Sequence, residues 1–185
     1  MVIFLVGFMG SGKNWWGSAL AERLNIPFAD LDKEIELSTG MEIVSIFEEK
    51  GEAFFRDKET QVLKSLYEHL AGKFTSFDAH DKFATAIIAT GGGTPCFGEN
   101  MQWMNQHGLT VWLNPSIAEL VGRLEKETEK RPLLKGKTVE DLAFYIEKKL
   151  AERNPFYNLA KIEIKNTHIA VEEFINLLHN ASDIH

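Results

Sequence analysis

Gly7 to Gly17, GFMGSGKNWWG, carries residues of the types and spacing that hold phosphate. Gly7, Gly12 and Lys13 make G-x-x-x-x-G-K, with Gly10 and Ser11 inside the loop. Glycines let backbone N–H groups turn inward around phosphate oxygens. The helix that follows offers its positive end, and the lysine reaches the β- and γ-phosphates. Such loops continue with a Ser or Thr hydroxyl for Mg²⁺. This chain has Asn14, followed by Trp15 and Trp16. An amide oxygen can ligate Mg²⁺ with a shifted geometry or act through a water. The strict octahedral distances of the ion weigh against direct replacement.

Further along, Asp30 and Asp32 close the stretch PFADLD. Alternation along a strand would put both on one side. One carboxylate could hold Mg²⁺ through water while the other takes a proton from a substrate hydroxyl. Equally, both could cap a helix starting at Lys33, where Asp is favoured. Arg56 and Glu59, three apart in GEAFFRDKE, share one helical face and can pair. That pair is either a solvated ion pair or a rigid fork for a substrate carboxylate. Phe47 and Phe55 read as core. Gly91, Gly92 and Gly93 end an apolar run without side chains, as a tight turn or a place where a ligand meets backbone. Arg131 in RPLL and Arg153 in ERNPFY, each taken alone, read as surface arginines.

Elements that position these residues follow from the pattern. Val2 to Val6, Pro27 to Asp32, Thr85 to Thr90, Leu109 to Leu113 and Ile162 to Lys165 are short apolar runs that read as strands. Helical spacing is expected from Lys13, around Ile35, over Ile43 to Phe47, from Glu52 to Leu70, and near Glu99 to His107. It recurs from Ser116, from Val139 to Glu152 and from Val171 to Leu178. Ala71 to Ala84 reads as an exposed connection, and Glu125 to Lys137, broken by Pro132 and Gly136, as a flap. Continuous apolar strands alternating with helices predict a parallel sheet covered on both faces, with ligands at the carboxyl ends of the strands.

Composition narrows the class. At 185 residues the chain suits a single domain, 1–185, and a net charge of −7 argues against nucleic acid or an anionic membrane as partner. Cys96 is the only cysteine, which forbids an internal disulfide and suits a reducing, cytoplasmic setting; a structural role is expected for it. The start MVIFLVGFMG is too short and too soon broken by glycine to be a span or a secretory leader.

Taken together, GFMGSGK, DLD, GEAFFRDKE, GGG, RPLL and ERNPFY, in this order, resemble the shikimate kinase family from Val2 to about Leu178. The resemblance implies a three-layer αβα fold like that of nucleoside monophosphate kinases. Its parts would be a five-stranded parallel sheet, a substrate-binding helical segment at about 33–61 and a lid at about 123–138. It implies transfer of the γ-phosphoryl group of ATP to the 3-hydroxyl of shikimate, in aromatic amino-acid biosynthesis, by a monomer. Lys13, Asp32 and Arg131 would be catalytic. Gly10, Ser11, Gly12, Lys13, Asn14 and Arg131 would meet the nucleotide, with Arg123 near adenine. Asp32, Arg56, Gly91, Gly92, Gly93 and Arg153 would hold shikimate. Asp30 would hold Mg²⁺ through water, with Asn14 in place of the usual hydroxyl.

Asn14 and the two tryptophans depart from the family pattern and bear on metal binding and turnover more than on fold. Two other readings stand beside the first. One is a related kinase of another polyol acid such as gluconate. The other is a ligand-binding protein that kept the pocket and lost metal-dependent transfer.

Overall fold

In the computed structural model the five apolar runs form β1 (Val2–Val6), β2 (Phe28–Asp30), β3 (Ala86–Ala89), β4 (Gly108–Leu113) and β5 (Ile162–Ile164). Residues 1–72, 84–126, 134 and 136–182 are described by the structure. Most of the connection expected at Ala71 to Ala84 and of the flap, Arg131 included, lies outside these residues. All strand pairs are parallel, in the order β2-β3-β1-β4-β5, with Leu5 of β1 beside both Ala89 and Val111. Connections leaving β1 and β4 run to opposite sides of the sheet. That reversal opens a crevice beyond the carboxyl ends of the strands.

Every residue of β1 and β4 is buried, because both faces of the sheet are covered. Alternation along β1 splits its side chains between two cores. Phe4 and Val6 face one containing Ile35, Leu63, Ile146 and Tyr157, and Ile3 and Leu5 face one containing Trp16, Leu20, Phe174 and Leu178. The first core is roofed by α2 (Leu31–Thr39), α3 (Ile43–Glu49), α4 (Gly51–Gly72), α5 (Asn100–His107), α6 (Ile117–Leu124) and α7 (Val139–Tyr157). The second is roofed by α1 (Lys13–Leu24) and α8 (Val171–Ser182). This is the three-layer αβα arrangement expected from the sequence.

Two boundaries differ from the periodic reading. β2 stops at Asp30 rather than Asp32, because the Asp30 side chain accepts the Asp32 N–H and turns the chain into α2 two residues before Lys33. α7 continues past Glu152 and through Pro155 to Tyr157. Pro155 removes one backbone hydrogen bond from the last turn, and Tyr157, fully buried, anchors the end. Arg153, which taken alone reads as a surface residue, therefore projects from α7. No helix among the described residues is long and apolar enough to cross a membrane.

The tryptophan pair divides its labour. Trp16 is 2% exposed and lies against Phe174 with ring centroids 4.7 Å apart, whereas Trp15 is 63% exposed and touches Trp16 edge-on. Trp16→Ala should cost about 3–5 kcal/mol, the range for emptying a large aromatic site in a core. Trp15→Ala should stay within about 0.5 kcal/mol of the parent. Urea unfolding of the two variants checks this; equal losses would contradict the packing described.

Candidate active site

The phosphate loop leaves β1 through three glycines with positive φ, Gly7 at 140°, Gly10 at 77° and Gly12 at 96°. At Gly7 a methyl group would stand 2.5 Å from the Leu113 carbonyl oxygen, so no other residue fits beside the end of β4. Gly12 forms the N-cap of α1. The loop is braced from outside by Arg123 of α6. Its Nη1 donates to the carbonyls of Gly10 at 3.1 Å and Ser11 at 3.3 Å, and its Nη2 donates to Thr167 Oγ1 at 2.9 Å. Glu119 accompanies Arg123 at 3.5 Å. Lys13 is buried, and its Nζ donates to the Gly7 and Phe8 carbonyls at 2.8 and 2.9 Å. That holds the ammonium on the loop, where a phosphate chain would lie. The resemblance implied an adenine contact for Arg123; here the guanidinium is bound to the loop and to the segment after β5.

Across the crevice lies a cavity of about 690 Å³. Asp32, Glu36, Arg56, Glu59 and Arg153 bring charge to its wall, Gly91 to Gly93 bring backbone, and Met9, Ile43, Val44, Phe47 and Phe55 bring apolar surface. Phe47 and Phe55, expected to be core, face each other at 4.6 Å and line the cavity; Phe55 is buried and Phe47 partly exposed. Phe55 also belongs to the core, as expected, and the exposure of Phe47 follows from the short α3 and the start of α4 meeting at the cavity rim.

Arg56 is locked on its own helix. Nη1 donates to Glu59 at 2.9 Å, and Nε and Nη2 donate to Glu52 at 3.2 and 3.1 Å. The guanidinium lies 4.1 Å from the Phe97 ring centre. The Arg56–Glu59 pair is thus not a solvated surface pair: Glu59 is completely buried and also accepts Thr94 Oγ1 at 2.5 Å. Arg153 stands over the Phe8 ring at 5.5 Å.

The glycine run packs directly against these side chains. A methyl on Gly91 would lie 2.8 Å from Asp32 Oδ1, one on Gly92 3.3 Å from Arg153, and one on Gly93 2.8 Å from Arg56. Tyr157 donates its hydroxyl to the Gly92 carbonyl and fixes that peptide. Burial pushes the phenol well above its usual range, so it remains a donor. Sequence reasoning passed over Tyr157, Thr94, Thr167 and Glu119. Each acts through a partner distant in sequence, and only the capping spacing of Ser116 and Glu119 left a local sign.

Asp32 lies in the first turn of α2, not on a strand, and still reaches the cavity. Burial, and then the neighbouring Asp30 carboxylate, raise its pKa from 3.8 to about 6, with Lys13 opposing. It is therefore charged at neutral pH yet basic enough to take a proton. Asp30 caps α2 through Oδ1 and receives the Asn14 amide at Oδ2, so Asn14 is turned to a carboxylate. Cys96, close in sequence to no basic group, comes near Arg153 and Arg56 in space. Burial still raises its thiol pKa, and it stays protonated.

The set fits a Mg²⁺-nucleotide: a glycine cradle that a Cβ would fill, an ammonium on the loop, and the Asp30 carboxylate beside it. Among the described residues no three His, Cys, Asp or Glu side chains gather to cage a metal. Mg²⁺ shared between a carboxylate, waters and phosphates needs no such cage.

A phosphate loop on the central strand of a parallel sheet, facing a buried carboxylate and two arginines, defines a P-loop kinase of a small anion. The family model Shikimate kinase matches residues 9–181. The chain belongs to the shikimate kinase family. A shikimate kinase of Parabacteroides distasonis is 38% identical over 179 residues, covering 97% of this chain and 95% of its own. The crystal structure of shikimate kinase from Bacteroides thetaiotaomicron superposes with a TM-score of 0.83 at 36% identity, covering 97% of this chain and 98% of that one. Shikimate kinase from Acinetobacter baumannii in complex with shikimate gives 0.79 at 32% identity, covering 97% and 93%.

A raised carboxylate pKa is a stability cost. It is absent below 3.8, grows as pH rises toward about 6 and is complete above. Asp32→Asn removes the charge and with it the cost. At about pH 8 the variant should exceed the parent in stability by at most about 3 kcal/mol, and the gain should fade toward pH 4. Urea unfolding at the two pH values checks it; a gain that does not shrink with acid would show that burial of this charge is not the cause.

Proposed function

We propose that this chain is the ATP-dependent kinase that phosphorylates the 3-hydroxyl of shikimate, a step of the shikimate pathway to aromatic amino acids. One observation carries the reading. Asp32, close enough to Lys13 of the phosphate loop to feel its charge, lines one cavity together with two arginines, Arg56 and Arg153.

The arginines bind the substrate carboxylate. A planar guanidinium can fork a carboxylate where an ammonium cannot. Glu52 and Glu59 fix Arg56 in advance, so little side-chain entropy is lost on binding. Gly91 to Gly93 bring backbone to the ring hydroxyls. Asp32 accepts the hydroxyl proton as the oxygen attacks, and its pKa near 6 suits that task. Lys13 and the N–H groups at Gly10 and Gly12 hold the phosphates, Ser11 closes the loop by donating its N–H to the Phe8 carbonyl, and Arg123 anchors the loop that presents them. Mg²⁺, when bound beside Asp30, supplies neutralisation of charge on the transferring oxygens. Arg131, on a lid over about 123–138, would add a second cation there and help exclude water. The segment about 33–61 carries the substrate side, and the whole is a single domain, 1–185. On this reading the enzyme is a monomer of the cytoplasm, and its net charge of −7 disfavours nucleic acid and anionic membranes as partners.

Against an open-chain polyol acid such as gluconate stands the lining of Ile43, Val44, Phe47 and Phe55, a surface suited to a carbocyclic ring. Against a non-catalytic binding protein stand Lys13 and Asp32, both in working positions.

ADP release from Mg²⁺-ATP should require shikimate and should not respond to gluconate. Its kcat/KM should rise with pH and level off above an apparent pKa of about 6. Arg153→Ala should weaken shikimate binding roughly 10- to 100-fold, the worth of charged hydrogen bonds, and leave ATP affinity unchanged. Calorimetry with each ligand separates the two. Equal losses for both ligands would remove Arg153 from the substrate side.

A further inference from the structure

Asn14 stands where such loops carry a hydroxyl, and the structure gives its amide another task. It is the second residue of α1, exposed, and its Nδ2 donates to Asp30 Oδ2 at 2.6 Å across to the end of β2. The other oxygen of the same carboxylate, Oδ1, accepts the Asp32 N–H at 3.0 Å and caps α2. Asp30 is therefore gripped at both oxygens by donors on two different elements. The grip leaves it one rotamer.

Amide nitrogen is a donor without a lone pair to give to a cation. Turning the amide over to bring Oδ1 to that place would set two acceptors at a separation of 2.6 Å. With Nδ2 committed to Asp30, only Oδ1, on the other side of the amide, is left for any further partner. We propose that Asn14 is a positioning residue for Asp30. It does not ligate Mg²⁺ but fixes the carboxylate that holds it, and the protein's hold on the metal lies at the end of β2 instead of the first turn of α1. Groups that orient a metal-holding side chain carry 10- to 100-fold of metal affinity when removed. The inference rests on the nucleotide-binding reading of the loop.

Mn²⁺ binding to the full chain with ADP, followed by the paramagnetic resonance of free Mn²⁺, tests it in a double-mutant cycle of Asn14→Ala and Asp30→Ser. Serine keeps a capping oxygen for α2 while removing the carboxylate. Asn14→Ala should weaken Mn²⁺ binding on the order of 10-fold. Asp30→Ser should weaken it at least as much, and the double variant should be no weaker than Asp30→Ser alone. Effects that multiply would make Asn14 an independent ligand and overturn the proposal. So would an unchanged Mn²⁺ affinity in Asn14→Ala. Asn14→Leu, with similar shape and no donor, repeats the first arm, and circular dichroism confirms that each variant is folded. Shikimate-dependent ADP release by the parent is read in parallel. Coupling without that turnover would keep this inference and defeat the functional reading; no Mn²⁺ binding by the parent would defeat this one.

Discussion

Glu59 is a carboxylate with no access to water, and an ion so placed survives only if its oxygens are fully engaged. One oxygen takes the Arg56 guanidinium and the other takes the Thr94 hydroxyl. The second of these bonds ties α4 to the turn that follows β3, and the first fixes Arg56 on the same helix. The sheet can therefore deliver its central crevice to a cavity wall of fixed shape. Arg56 gains its orientation from the same ion, with Glu52 as the second support. The absence of side chains at Gly91 and Gly93 is a consequence. A Cβ at Gly91 would press on Asp32 and Glu59 and one at Gly93 on Arg56, and neither Glu59 nor Arg56 can yield without breaking the bonds that hold it.

The nucleotide side is built on the opposite principle. Its loop is backbone, held in left-handed conformations at Gly10 and Gly12, with its carbonyls tied back by Arg123. Arg123 is in turn held by Thr167 and Glu119, and Glu119 by Ser116 and His168. A chain of polar contacts thus runs from the segment after β5 to the phosphate loop. On the proposed reading, side chains recognise the substrate and peptide groups recognise the phosphates. An anion of variable conformation is well served by peptide dipoles, and a rigid ring by fixed guanidinium groups.

Most of this was legible in the chain because its signals are local. The apolar runs gave the five strands, since burial on both faces removes alternation, and the glycine–lysine spacing gave the loop. Arg56 and Glu59 were readable as a pair from their separation of three, but not as a buried pair, because burial depends on Thr94 far along the chain. The α2 start was misread for a related reason: PFADLD scores as strand until the Asp30 cap is recognised as stronger than alternation. Tyr157 left no sign, since its partner is a peptide carbonyl at Gly92. Asn14 announced a departure, but what it does required the position of Asp30.

Asp30 and Asp32 show why the departure can be tolerated. Burial, and after it the neighbouring Asp30 carboxylate, has moved the pKa of Asp32 to about 6. A mobile Asp30 would approach Asp32 or swing away, and the basicity of Asp32 would vary with it. Holding Asp30 by Asn14 on one side and by the α2 N-terminus on the other fixes that separation. A hydroxyl at position 14 has only one donor hydrogen and a shorter reach, so it would serve a metal or a carboxylate but not span to the end of β2 in the same way. In the proposed arrangement the amide exchanges a direct metal contact for control over the electrostatics of Asp32. The tie also joins α1, which carries the phosphates, to α2, which carries Asp32, so the two halves of the transfer site are set by one hydrogen-bonded carboxylate.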